Sequence, residues 1–209
     1  MSAPCIWYFA DPMCSWCWGF SPVIEAVREA YHERLKIALV LGGLHPGETA
    51  PITVQAREDR LHHWHQVHER SGQSFRFEHA LPDGFIYDTE PASRAVVPAG
   101  GLDPANIFAM FKAIQTAFYA EGRDVTQTAV LAELAAGLGI DTAAFLNAFD
   151  SDAARAKTQA HFAQSRKAGV RGFPTLILQR GEQIDRIADG YLPLDTVQAE
   201  LDRLLLCPV

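Results

Sequence analysis

Apolar positions repeat in two different ways along this chain, and the change from one to the other divides it into three stretches. Ile6-Trp7-Tyr8-Phe9-Ala10 is a short apolar run of strand length. After it, Phe20, Val23, Ile24, Val27, Ala30 and Tyr31 recur at spacings of three and four, which puts one apolar stripe on a helix. Leu35-Lys36-Ile37-Ala38-Leu39-Val40-Leu41 reads as a second strand, buried on both faces, and Gly42-Gly43-Leu44-His45-Pro46-Gly47 ends it. From about residue 50 to 168 strand-like alternation nearly vanishes. The helical period predicts helices over 53–71, 90–99, 104–121, 126–138, 141–149 and 151–168, with 75–88 irregular. Thr126, Asp141 and Ser151 are the expected N-caps of the last three. Strand character then returns in Phe173-Pro174-Thr175-Leu176-Ile177-Leu178 and, across a turn at Arg180-Gly181-Glu182, in Gln183-Ile184-Asp185-Arg186-Ile187-Ala188. A last helix is predicted over 194–206.

The order is therefore βαβ, a helical block, then ββα. The two flanking pieces are too small to bury a core separately, so they are expected to share one sheet. The predicted fold class is α/β, with residues 1–48 and 169–209 forming one discontinuous domain and 49–168 inserted as a helical domain. The length of 209 residues, 48% of them hydrophobic, supports a core of that size.

Cys14-Ser15-Trp16-Cys17 falls where the first strand gives way to the first helix. Free amide N–H groups at a helix N-terminus favour an anion, and the thiolate is the reactive form of cysteine. Cys14, the outer thiol, is the expected nucleophile, with Cys17 three residues on to resolve a mixed disulfide. Zinc sites use the same spacing, but they draw on a second pair of ligands, and Cys5 and Cys207 form no second CxxC. Cys5 is expected to be a buried small hydrophobe and Cys207 a spectator. Asp11 has two readings: a turn residue only, or a carboxylate placed to move protons at Cys17. Trp16 and Trp18 flank the thiols, either as packing or as an apolar platform for an unfolded peptide. Pro22 is expected to kink the helix.

Charge excludes some functions. A net charge of −7 argues against nucleic-acid binding. The first residues, Met1-Ser2-Ala3-Pro4, have no basic signal region, and no apolar run is long enough to span a membrane. The expected location is the cytoplasm, where a CxxC is catalytic more often than structural. His62, His63, His65 and His68 invite a metal reading, yet no HExxH occurs, and a polar, pH-sensitive helix face is expected instead.

A βαβ–ββα frame with CxxC after its first strand resembles the thioredoxin fold, and the helical insertion resembles the DsbA family. Asp11-Pro12-Met13-Cys14-Ser15-Trp16-Cys17-Trp18-Gly19-Phe20, Thr89-Glu90-Pro91-Ala92-Ser93-Arg94-Ala95 and Gly169-Val170-Arg171-Gly172-Phe173-Pro174-Thr175 resemble the cytoplasmic, FrnE-like branch. The resemblance covers nearly the whole chain. It implies a thiol–disulfide oxidoreductase or isomerase with Cys14 attacking and Cys17 resolving. It implies a cis bond before Pro174, and Phe173 and Pro174 beside the thiols to receive an extended peptide. It implies protein or peptide thiols and disulfides as partners, no cofactor beyond the redox pair, and glutathione as a candidate co-substrate. Ser15-Trp16 stands where periplasmic members carry Pro-His, so a less oxidising couple is expected. Two other readings stay open. The kappa-class glutathione transferases and 2-hydroxychromene-2-carboxylate isomerases share the layout, with Ser15 as a glutathione contact. A non-catalytic peptide-binding chaperone would form a groove from Trp16, Trp18 and the helical block.

Overall fold

The structure, a computed structural model, describes residues 4–206; Cys207 therefore lies outside the described residues. Strand β1 (Cys5–Ala10) leads into helix α1 (Ser15–Tyr31) and strand β2 (Lys36–Leu41). Helices α2 (Val54–Ser71), α3 (Glu90–Leu102) and α4 (Asn106–Gln115) follow, and α4 runs on into a π-helical turn at Thr116–Ala120. Helices α5 (Thr128–Gly137), α6 (Thr142–Phe149) and α7 (Asp152–Lys167) complete the helical stretch. Strands β3 (Thr175–Arg180) and β4 (Gln183–Asp189) and helix α8 (Leu194–Leu206) close the described chain.

The four strands form one sheet in the order β2-β1-β3-β4. β1 runs parallel to β2 and antiparallel to β3, and Tyr8 lies between Leu39 and Leu176. Because strand side chains alternate, β1 feeds two faces. Ile6, Tyr8 and Ala10 join the main core, together with α1, α8 and the helices that follow β2. Phe9 packs with Val40 and Ile177 on the opposite face, where Trp7, Val170 and Phe173 partly cover it. The main core is continuous from Phe20 of α1 through Trp64 of α2 to Phe118 and Tyr119, so the helical stretch and the sheet share one apolar interior. The approach of α1 to α2 is close: a Cβ at Gly19 would lie 2.6 Å from Val67 Cγ1. The Thr53, Asp141 and Ser151 side chains cap α2, α6 and α7 as acceptors from backbone N–H groups.

Several local expectations differ from the structure. β2 is an edge strand, so Lys36 is exposed and burial on both faces holds only for Leu39 to Leu41. α1 runs continuously through the exposed Pro22, and α3 continues past the buried Pro98 to Leu102. Thr126 caps no helix. Its amide and hydroxyl both go to the Asp124 carboxylate, at 3.0 and 2.6 Å, and α5 starts two residues later. The helix expected over 104–121 changes type at Thr116, where Glu121 N–H reaches back to the Thr116 carbonyl at 3.1 Å. The wider turn lets Ala117, Phe118 and Tyr119 all face inward. β3 begins at Thr175 rather than at 173, because the Thr175 hydroxyl donates to the Gly172 carbonyl (2.8 Å) and closes a loop ahead of the strand. Cys5, expected to be buried, is half-buried where the chain enters the sheet.

Candidate functional site

The end of β1 and the first turn of α1 build the site. Cys14 is the N-cap of α1 with extended backbone (φ −92°, ψ 117°). Its N–H donates to the Asp11 carbonyl and its own carbonyl accepts from Trp18 N–H, both at 3.1 Å. Cys17 is one helical turn further in. Both are free thiols. Cys14 is 6% exposed and Cys17 0%, so Cys14 is the outer of the two buried thiols. No acidic residue occupies the first turn of α1, whose free N–H groups make that end electropositive.

The loop ahead of β3 comes to the same point from 159 residues away in sequence. The Cys14 thiol donates to the Phe173 carbonyl at 3.5 Å, and the Phe173–Pro174 peptide bond is cis. The Phe173 ring lies directly over Gly42, where any Cβ would collide with the ring atoms. Gly42 N–H in turn donates to the Ala10 carbonyl at 2.8 Å. The exit of β2, the exit of β1 and the proline loop are thereby locked together.

Asp11 is wholly buried. Its carboxylate accepts from Met13 N–H and Leu44 N–H, each at 2.9 Å, and from the Ser93 hydroxyl at 3.4 Å. Thr89 and the Gly43 amide also reach it. Burial pushes its pKa up to about 6, and these hydrogen bonds hold it from rising further. Asp11 turns the chain into the cysteine motif, and its charge is felt at Cys17. Burial pushes the Cys17 thiol well up, the neighbouring Cys14 thiol and the Asp11 carboxylate add to the rise, and the Asp11 backbone amide works the other way.

The two tryptophans part company. Trp16 is half-buried with its ring 6.0 Å from that of Tyr191. Trp18, the other half of the expected platform, is 5% exposed. Its indole N–H donates to the Ser74 carbonyl at 2.9 Å, and its ring stacks on Tyr119 at 6.3 Å. A ring held in this way has no face for a peptide, so Trp18 is a core residue joining α1 to the helical stretch. The ring nitrogens of the α2 histidines do not converge: His62 meets Gln66 at 3.0 Å and His68 Nδ1 meets the Gln73 carbonyl at 2.7 Å, while the His65 ring stacks on Phe77 at 3.9 Å and the His68 ring meets the same Phe77 edge-on. No group of three or more His, Cys, Asp or Glu poised to hold a metal occurs among the described residues.

Several site residues escaped sequence reasoning. Tyr8 stands under Cys17, and the Tyr87 hydroxyl donates to the Met13 carbonyl at 2.7 Å. Thr89 and Ser93, which hold Asp11, lie within the stretch 89–95 that carried part of the family resemblance; that was the one available signal for them. For Tyr8, Gly42 and Tyr87 the chain offers none.

Comparison with known proteins gives consistent neighbours. The model of the DSBA-like thioredoxin domain family matches residues 6–202. A crystal structure from Nitrosomonas europaea, provisionally assigned as a protein disulfide isomerase, is 45% identical with a TM-score of 0.92, covering 98% of each chain. The cytosolic disulfide reductase DsbM from Pseudomonas aeruginosa is 32% identical with a TM-score of 0.80, over 96% of this chain and 98% of that one, and it has also been solved with glutathione. Among curated proteins, the ClpXP adapter SpxH of Halalkalibacterium halodurans is 21% identical over 82% of this chain, which spans 57% of that relative's length.

Proposed function

This chain belongs to the DSBA-like thioredoxin domain family, and from that premise we propose that it is a thiol–disulfide oxidoreductase in which Cys14 and Cys17 carry the exchange. The observation that supports this most directly is the outer and inner placement of the two thiols at one helix N-terminus, with the Phe173 carbonyl facing the outer one. In the reducing direction the Cys14 thiolate attacks a substrate disulfide. A Cys14–substrate bond forms and one substrate sulfur leaves as a thiolate. Cys17 then attacks the Cys14 sulfur, the internal disulfide forms, and the second substrate sulfur leaves. Asp11, charged at neutral pH and acting on Cys17, is positioned to take the Cys17 proton. The reverse sequence oxidises a substrate dithiol.

Substrate would enter over Cys14, against Trp16, Phe173 and Pro174, with the Phe173 backbone as the edge on which an extended peptide pairs. Protein or peptide thiols and disulfides are the proposed partners. Glutathione is the proposed co-substrate, and no cofactor beyond the cysteine pair is invoked. The cytosolic DsbM structures support a cytoplasmic setting and the use of glutathione, while placement in the FrnE-like branch rests on the three sequence motifs alone; no helix among the described residues is long and apolar enough to cross a membrane. A buried thiol in contact with Cys14 has no use in simple glutathione conjugation, which argues against the transferase and chromene isomerase reading. The burial of Trp18 argues against a tryptophan-lined chaperone groove. Ser15-Trp16 puts no cationic side chain between the two cysteines, which favours a less oxidising couple than a histidine there would give.

The test is a Cys17→Ser variant incubated with a peptide disulfide and read by mass spectrometry. An adduct confined to Cys14 is expected. A variant that reacts nowhere, or elsewhere than at Cys14, would overturn the proposal.

A further inference from the structure

Tyr8 occupies the middle of the central strand and is wholly buried, with its ring 6.1 Å from Phe20 and 6.2 Å from Phe111. Its hydroxyl faces the Cys17 sulfur and makes a full hydrogen bond with none of the described residues. A buried hydroxyl without a partner is costly, and a phenylalanine would fill the same space without that cost. The partner that is missing from the resting thiol state is a strong acceptor. A thiol accepts weakly, whereas a thiolate accepts strongly. One step of disulfide exchange creates such an acceptor in front of Tyr8, because Cys17 must become a thiolate to attack the mixed disulfide at Cys14.

We propose that Tyr8 is a catalytic residue of the resolving step, its hydroxyl donating a hydrogen bond to the Cys17 sulfur as that sulfur becomes a thiolate. The inference rests on the oxidoreductase reading and adds a residue to it. In the step, Cys17 gives its proton to the Asp11 carboxylate. The Cys17 sulfur forms a bond to the Cys14 sulfur while the Cys14–substrate bond breaks. The departing substrate thiolate takes the proton from Asp11, and Tyr8 keeps its own throughout. Burial and the two nearby cysteines push the Tyr8 hydroxyl well above its ordinary pKa, so it stays a donor. The titratable groups around Cys17 are Tyr8 from β1, Asp11 from the turn, Cys14 from α1 and Tyr119 from the π-helical turn. Tyr119 is also wholly buried, senses both cysteines and likewise makes no full hydrogen bond among the described residues, but the group its hydroxyl approaches is the Tyr87 hydroxyl rather than a sulfur. It serves as the control.

The experiment mixes reduced full-length protein with a chromogenic aromatic disulfide and follows release of the coloured thiolate. The first phase reports attack by Cys14 and the second reports resolution by Cys17. Loss of one hydrogen bond to a charged acceptor moves a pH midpoint by about one to two pH units. On a logarithmic scale about half of the resulting loss of rate is recovered, because a more basic thiolate is a better nucleophile. Tyr8→Phe is therefore expected to slow the second phase by about three- to tenfold and to move its pH midpoint upward, with the first phase unchanged. Tyr119→Phe should leave both phases as they are. An unchanged second phase in Tyr8→Phe, or an equal slowing in Tyr119→Phe, would overturn the assignment. Absence of the first phase in the unaltered protein would instead overturn the oxidoreductase reading beneath it.

Discussion

Replacing Asp11 by asparagine should change how stability depends on pH by a calculable amount. In the native protein the carboxyl titrates near pH 6, raised from 3.8. Between those values the native state holds a proton that the unfolded state has released. The stability this contributes is complete below about pH 4 and is lost as pH rises through about 6. The full difference is about 3 kcal/mol, at about 1.4 kcal/mol per pH unit, and about 2.5 kcal/mol of it falls between pH 4 and pH 8. Asparagine has nothing to titrate. Its amide also replaces one of the oxygens that accept from Met13 and Leu44, which shifts the variant's stability by a constant at all pH values. The quantity to measure is thus the difference in unfolding free energy between variant and parent, from urea titrations under reducing conditions at several pH values. It should move in favour of the asparagine variant by about 2.5 kcal/mol from pH 4 to pH 8. A difference that stays flat across that range would refute the account of Asp11 as a carboxylate kept charged inside the core.

Other outcomes follow from the same geometry. Gly42→Ala should press the Phe173 ring off its seat, costing about 1–3 kcal/mol by urea unfolding and slowing disulfide exchange, since the loop that carries the carbonyl facing Cys14 must move. Arg94 is 6% exposed, donates to Glu90 at 2.9 Å and to the Phe149 carbonyl at 2.8 Å, and stacks 3.9 Å over the Phe149 ring. Arg94→Ala should cost about 3 kcal/mol and lower the thermal midpoint by about 6–12 °C in calorimetry, with little change in exchange chemistry if the protein is assayed while folded. The couple itself, equilibrated with glutathione buffers, should fall nearer the thioredoxin value of about −270 mV than the strongly oxidising value of about −120 mV.

The parts of this molecule that were legible in its residues are those governed by neighbours along the chain. The two periodicities located every strand and helix. Thr53, Asp141 and Ser151 act as caps because a cap is decided within three or four residues. The strand-to-helix setting of Cys14 is equally local. Thr126 misled because Asp124, two residues before it, offers a stronger acceptor than the helix offers donors. Trp18 misled for a different reason. Whether an aromatic ring beside a reactive thiol lies exposed depends on what packs over it, and here that is Ser74 and Tyr119, more than fifty residues away. The same holds for Tyr8, Gly42 and Tyr87. Each has its role only because β3, the proline loop and the segment before α3 arrive at one place.

The strand order carries a consequence for synthesis on the ribosome. β1 and β2 are made first and can pair at once, but the other edge of β1 waits for β3, and about 130 residues separate the end of β2 from the start of β3. At a translation rate of about 5–20 residues per second, that wait lasts about 7 to 27 s. During it both cysteines already exist, while the loop that will face Cys14 has not yet been synthesised. The most reactive part of the chain is thus also the part longest without its cover. The nascent protein depends on its surroundings, rather than on its own fold, to keep Cys14 from premature exchange.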